Sequence, residues 1–189
     1  MTGQVSDEEL FQRYRDRDDA AAFAAIYDRY DAPVFGFLRR FLRDSAAAED
    51  LVQQTFLRIH EARGTFDPRL SLRTWIFTIA RRLAINLIER ERRVLDRVTD
   101  EHADAAPSPE QQAATRSEVR RLERALAQLA HDDAILVLFA KFEGLTSDEL
   151  GHVLGCSADA AKMRLHRALR RLGELLGAEL GDARVAARR

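Results

Sequence analysis

Apolar residues return along this chain every three or four positions and show no sustained alternation, while Val and Ile are sparse. The pattern predicts helices throughout and no strand. Ser6 with Glu9 has the form of a capping box opening a first helix, SDEELFQRYRDR. A second helix is expected over 19–42, where Phe23, Ile26, Tyr27, Tyr30, Val34, Phe37, Leu38 and Phe41 share one face and Pro33 is expected to kink or split it. Asp44 or Ser45 caps a third, 46–62, striped by Leu51, Val52, Thr55, Phe56 and Ile59. RGTFDPRLS (63–71) follows as a loop, with Gly64, Asp67 and Pro68 as turn residues. Ser71 then caps a long helix to about Leu95, with Leu72, Trp75, Ile76, Ile79, Leu83 and Leu87 on one face.

The periodicity stops at VTDEHADAAPSPE (98–110), which holds two Pro, four acids and almost no large apolar residue. A second helical set is expected at about 111–129, 132–143, 146–154 and 157–177, with GDARVAARR fraying at the end. The expected fold is all-α, two small helical domains joined by a flexible acidic linker, the C-terminal one carrying a helix-turn-helix. The boundaries fall at 6–96, 97–112 and 113–179.

Charge changes this picture through its placement. The chain's 30 Lys and Arg nearly balance its 31 Asp and Glu, for a net charge of -1. Yet 71–97 holds seven Arg against three acids, and 160–172 holds five basic residues and no acid. Such local patches form the electrostatic footprint of a nucleic-acid binder. No apolar run approaches the roughly 20 residues of a membrane span, and Met1 to Leu10 lacks the apolar core of a secretory signal, so a cytoplasmic protein without membrane insertion is expected. Cys156 is the single cysteine, which excludes an intrachain disulfide. With His152 it falls short of a zinc set, so no metal, cofactor or catalytic residue is expected.

The most informative stretch is GHVLGCSADAAKMRLHRAL (151–169). Thr146 and Glu149 form a capping box for the helix before it, Gly155 suits a positive-φ C-cap, and Ser157 is a natural N-cap for the next helix. In that helix Ala158, Ala161, Leu165, Ala168 and Leu172 make a narrow buried stripe, which leaves Lys162, Met163, Arg164, His166 and Arg167 outward. A solvated helical hairpin would usually mix charge signs to gain i,i+4 pairs. The absence of acids favours a helix-turn-helix that lays its second helix in the major groove.

These residues resemble a known family. EGLTSDELGHVLGCSADAAKMRLHRALRRL (143–172) resembles the C-terminal DNA-binding domain of bacterial RNA polymerase sigma factors, nearest to the extracytoplasmic-function group of the sigma-70 family. AEDLVQQTFLRIHEARGTFDPRLSLRTWIFTIARRLAINLIERERR (48–93) resembles their N-terminal domain. The resemblance spans about 7–177 and implies a non-catalytic initiation factor whose partners are core RNA polymerase, promoter DNA and, as is common in the family, an anti-sigma factor. It implies polymerase docking through Asp50, Gln53, Gln54 and Leu57, and minus-ten recognition through Phe66, Arg73, Arg81 and Arg82. It assigns the minus-thirty-five element to Lys162, Met163, Arg164, His166 and Arg167, leaving open which of them read bases and which phosphates. Phe66 has two open roles, stacking on an extruded base or stapling its loop to the core. Trp75, on the apolar stripe, is assigned to the core.

Two positions depart from the family pattern. Arg82 stands where Asn is frequent, so no base preference carries over. Leu129-Ala130 stands for Leu-Pro, which predicts a softer helix start. The linker acids Asp100, Glu101, Asp104 and Glu110 are expected to compete for the basic faces of the free protein. Three rival classes fit less well. A stand-alone repressor needs a dimer helix that is not evident, a nuclease needs clustered carboxylates, and a pure interaction module has no use for two basic faces.

Overall fold

The computed structural model describes residues 5–98 and 113–186. Among them there are helices and no strand: α1 (Asp7–Arg17), α2 (Ala20–Leu42), α3 (Ser45–Glu61), a 3-10 turn (Arg63–Thr65), α4 (Leu72–Val98), α5 (Ala113–Ala127), α6 (His131–Lys141), α7 (Ser147–Leu154) and α8 (Ala158–Ala186). The acidic stretch, with Asp100, Glu101, Asp104 and Glu110, lies outside the described residues.

The caps follow the side chains that the sequence supplies. Ser6 accepts from the Glu9 amide at 3.1 Å, one half of the expected box. Asp19 caps α2 through the Ala22 amide, and Asp44, rather than Ser45, caps α3 through the amides of Ala46 and Ala47. Pro33 does not split α2. It removes one helical donor, but the face of Ile26, Tyr30, Val34, Phe37 and Leu38 stays buried on both sides of it, and that burial holds the helix through the gap. At the far end α8 continues to Ala186, past the expected fraying point.

The first four helices pack around Phe11, Ile26, Phe37, Leu38, Ile59, Leu72 and Ile76. Across this bundle Tyr30 donates to Asp7, whose carboxylate also pairs with Arg29 at 2.5 Å. Burial, reinforced by that carboxylate, pushes the Tyr30 phenol far up. α4 starts under control from two sides: Ser71 accepts from the Thr74 amide at 3.2 Å, and Glu8 of α1 accepts from the Leu72 amide at 3.1 Å.

Helices α5 to α8 wrap Ile135, Leu136, Leu138, Leu150, Val153 and Ala161. The two helix sets then share one continuous core. α6 packs on α2 and α7 on α4. Phe139 of α6 is fully buried, with its ring 4.5 Å from Phe37 and 5.2 Å from Phe77 in tilted and edge contacts.

Candidate nucleic-acid and polymerase interfaces

On α3, the stripe Leu51, Val52, Thr55, Phe56 and Ile59 is buried, as its spacing requires. Asp50, Gln53, Gln54 and Leu57 fall at i, i+3, i+4 and i+7, so they form one opposite stripe, and all four are exposed. Leu57 shows 55% of its surface, an apolar residue with no intramolecular use.

The 63–71 loop is braced rather than loose. Asp67 accepts from the Arg69 amide at 3.0 Å and from the Arg69 guanidinium at 2.7 Å, and these bonds lower its carboxyl to about 2. Phe66 is buried, with its ring 4.9 Å from Phe11 and 5.2 Å from Trp75. In this conformation the Phe66 ring is the loop's anchor and is closed to a base. Trp75 belongs to the same aromatic cluster and lies 5.3 Å from Phe11.

The cations of α4 meet different surroundings. Arg82 is exposed and has no hydrogen-bond or ion-pair partner among the described residues. Arg73 donates to the Glu143 carbonyl and lies 3.7 Å from the Glu143 carboxylate, which Arg40 approaches to 3.9 Å. Arg81 donates to Asp132 at 2.5 Å and to the Val153 carbonyl at 3.5 Å, while its buried Nε finds no acceptor among the described residues. Burial raises the Asp132 carboxyl, but the Arg81 hydrogen bond and the charges of Arg81 and Arg164 outweigh it, and the net shift is down. For Glu143 the balance reverses, because burial outweighs Arg73 and Arg40 and the carboxyl is pushed up.

The turn between α7 and α8 has the expected caps. Thr146 and Glu149 form both halves of the capping box, and Gly155 ends α7 at φ 68°. Ser157 accepts from the Ala160 amide at 3.2 Å. Gly151 is required by space, since a Cβ there would stand 2.7 Å from the Cys156 carbonyl oxygen. This close turn leaves Lys162, Met163, His166 and Arg167 exposed on α8, with Met163 at 60%. Arg164 is turned inward, 3.1 Å from Asp133 and 3.4 Å from Asp132.

Three functional-grade contacts had only weak sequence signals. The Glu149 oxygen not used by the capping box accepts from Ser71 at 2.9 Å and from Thr74 at 3.1 Å, tying α7 to the start of α4. Burial raises its carboxyl, and the four hydrogen bonds from Thr146, Ser71 and Thr74 bring it below the usual range. Asp132 and Glu143 are the others. In the sequence Asp132 and Glu143 stood only as the two ends of the helix expected over 132–143.

Comparison with known proteins accounts for this arrangement. The family model for Sigma-70 region 2 matches residues 26–94, and that for Sigma-70, region 4, matches 119–172. The chain is 36% identical to the RNA polymerase sigma factor CarQ of Myxococcus xanthus over 88% of its own length and 95% of the relative's. It is 32% identical to the ECF RNA polymerase sigma factor RpoE of Cereibacter sphaeroides over 86% of this chain and 91% of that one.

The chain belongs to the extracytoplasmic-function sigma factors.

As a sigma factor it directs promoter-specific initiation by RNA polymerase and is an initiation factor rather than an enzyme. Its fold agrees with that of CnrH, solved in complex with the cytosolic domain of CnrY, at a TM-score of 0.69 and 25% identity over 91% of this chain and 97% of that one. No helix among the described residues of this sigma factor is long and apolar enough to cross a membrane.

Proposed function

We propose that this sigma factor docks on core polymerase through the exposed α3 stripe of Asp50, Gln53, Gln54 and Leu57. In the same reading it engages the minus-ten element with α4 and the loop before it, and the minus-thirty-five element with α8. The carrying observation is that the α3 stripe is wholly exposed while the other face of the same helix is wholly buried. Leu57 supplies an apolar centre, and Asp50 and the two Gln supply a polar rim, the composition of a docking patch.

On the promoter side Arg82 is, of the three assigned α4 arginines, the one open to DNA in the present conformation, with Arg73 and Arg81 following the strand's phosphates once they are free. Phe66 serves first as the loop's staple, and stacking on an extruded base would require it to leave Phe11 and Trp75. Lys162, His166 and Arg167 face the minus-thirty-five duplex together with Met163, which suits a thymine methyl, and Arg164 joins them when it leaves Asp132 and Asp133. The protein acts in the cytoplasm, where core polymerase is, and an anti-sigma factor is a fitting partner, since the sigma factor RpoE from Bartonella quintana, of similar fold, was solved in complex with the anti-sigma factor NepR.

Run-off transcription with purified core polymerase and a genomic promoter library tests the whole reading. The expected outcome is initiation that depends on the protein, with aligned start sites revealing both elements. Leu57→Asp should abolish core binding in a pulldown while leaving the helical content unchanged. Core binding that survives Leu57→Asp would remove α3 from the interface.

A further inference from the structure

One acid lies among the cations of the helix assigned to the minus-thirty-five element. Asp159 stands in the first turn of α8, directly after the turn that presents the helix. It precedes Lys162, Met163 and His166 by three, four and seven positions, so the four share one face, and all four are exposed. From Ala158 to Gly173 it is the only acid. Among the described residues its carboxylate makes no hydrogen bond or ion pair, and the ammonium group of Lys162, one turn on, makes none either. Two opposite charges within reach of each other are thus both left available to a partner.

The helix end does not account for this acid. A carboxylate in the first turn is favoured by the dipole, but Ser157 already caps α8 by accepting from the Ala160 amide at 3.2 Å. On a face that meets DNA a carboxylate is costly, because the phosphates surround it with negative charge, and only a donor from the DNA offsets that cost. In a helix-turn-helix the N-terminal residues of the second helix contact the base edges, and Asp159 is at that end.

An ionised carboxylate can only accept. In the major groove guanine and thymine set acceptors against it. Adenine offers its N6 donor beside the N7 acceptor, whereas cytosine offers the N4 donor with no adjoining acceptor. Cytosine is therefore the base edge that Asp159 fits. Lys162 follows at a rise of about 4.5 Å along the helix, against about 3.4 Å between stacked bases. The pair can then meet the same or adjoining base pairs, where guanine O6 and N7 accept from the Lys.

We infer that Asp159 is a specificity-determining residue whose carboxylate accepts from the N4 amino group of one cytosine in the minus-thirty-five element. The inference rests on the reading of α8 as the minus-thirty-five helix. Its effect is chiefly exclusion, since guanine or thymine at that position would face the carboxylate with an acceptor and leave both unpaired.

The test uses holoenzyme assembled from core RNA polymerase and the full chain, as wild type, D159A, D159N and R167A. Each selects from a library built on one promoter fragment that the wild type binds, with the minus-thirty-five segment randomised, and the bound duplexes are sequenced. Circular dichroism reports the helical content of each variant. Wild type is expected to favour one C·G pair by about tenfold over the alternatives. D159A should lose that preference, to within about twofold among the four pairs, and keep the selection at every other position. D159N keeps the size of the side chain, removes its charge and adds a donor. Its preference should move from cytosine toward adenine, whose N6 and N7 an Asn amide matches.

An unchanged preference in D159A, a change at a position where wild type selects a base other than cytosine, or an equal loss at every position overturns the inference. The last result would make Asp159 a helix-stabilising acid that reads nothing. Should D159A lose helicity, D159N carries the test, and a D159N selection identical to wild type overturns it as well. R167A separates the inference from the reading beneath it. If R167A alters the selection and D159A does not, only the role of Asp159 fails. If neither alters it, α8 is not on the promoter and both fail.

Discussion

Helices α4 and α8 look alike in sequence, since both are long, amphipathic and strongly basic on one side. In the folded chain they are in opposite states. The α8 face presents Lys162, Met163, His166 and Arg167 to solvent, and only Arg164 is engaged. On α4 Arg73 and Arg81 are both engaged by the other helix set, and Arg82 is left open. The difference comes from what presents each helix. A local turn three residues long sets up α8, whereas the exposure of α4 is decided by a tertiary contact made some 50 to 80 residues away. The cations of α8 are therefore presented by a local turn, and those of α4 are governed by the contact between the two helix sets.

The sharpest way to break this comparison is to damage the local turn. Gly151→Val places a side chain where even a Cβ would meet the Cys156 carbonyl at 2.7 Å, and backbone cannot yield as a flexible side chain does. The expected cost is about 2–3 kcal/mol of stability in the second helix set, read as an early thermal transition, together with loss of minus-thirty-five binding. Core binding through α3 should survive, because α3 packs mainly on α2 and α4. Loss of both activities in step would mean that the two helix sets fold as a single unit.

A smaller effect distinguishes the open cation from the held one. Arg167→Ala should weaken binding of the free protein to a minus-thirty-five duplex by about 1–3 kcal/mol if it reads a base, and by less with a uniform loss across sequences if it meets phosphate. Arg81→Ala should behave differently in the two assays. It removes a cation that is paired with Asp132 in the free protein, so duplex binding by the free protein should hold, while initiation by the polymerase complex should fall. A matched fall in both assays would place Arg81 on the DNA in the free protein as well, and α4 would then be as ready as α8.

The helices, their caps and the turn between α7 and α8 were legible because they are set by near neighbours. Thr146 with Glu149, Gly155 and Ser157 each act within four residues, and the structure has all of them in the expected roles. The contact between the two helix sets was not legible from those rules, since it joins residues far apart in sequence whose separate appearances are ordinary. Two traces of it were nevertheless present. Phe77 lies off the apolar stripe of α4 and is fully buried, so it needed a partner outside its own bundle. The run Ala134 to Phe139 is apolar on every side, the pattern of a helix enclosed all round rather than of one covering a single core. Phe139 meeting Phe37 and Phe77 resolves both traces. The acidic linker attracted attention as the source of masking charge, but the carboxylates that reach the cations within the described residues are Asp132, Asp133 and Glu143.

The weakest lever is pH, and its sign separates the carboxylates that join the two helix sets. Asp132 and Glu149 have carboxyls below their ordinary values, so each stabilises the closed contact above about pH 4, and that contribution is lost as pH falls through the lowered values. Glu143 is raised, so its contribution has the other sign. It is complete below about pH 4, the ordinary glutamate value, and disappears as pH climbs through the raised value. Acidifying from neutrality should first protonate Glu143, which relieves a buried charge while weakening its pairs with Arg73 and Arg40, and only later strip the ion pairs of Asp132. The thermal midpoint should therefore rise slightly as pH falls through the raised Glu143 value and then fall below about pH 4. E143Q should flatten the rise and leave the fall, and D132N should soften the fall and leave the rise. A rise that persists in E143Q would assign it to another group, and Glu143 would then be held charged by Arg73 and Arg40 throughout.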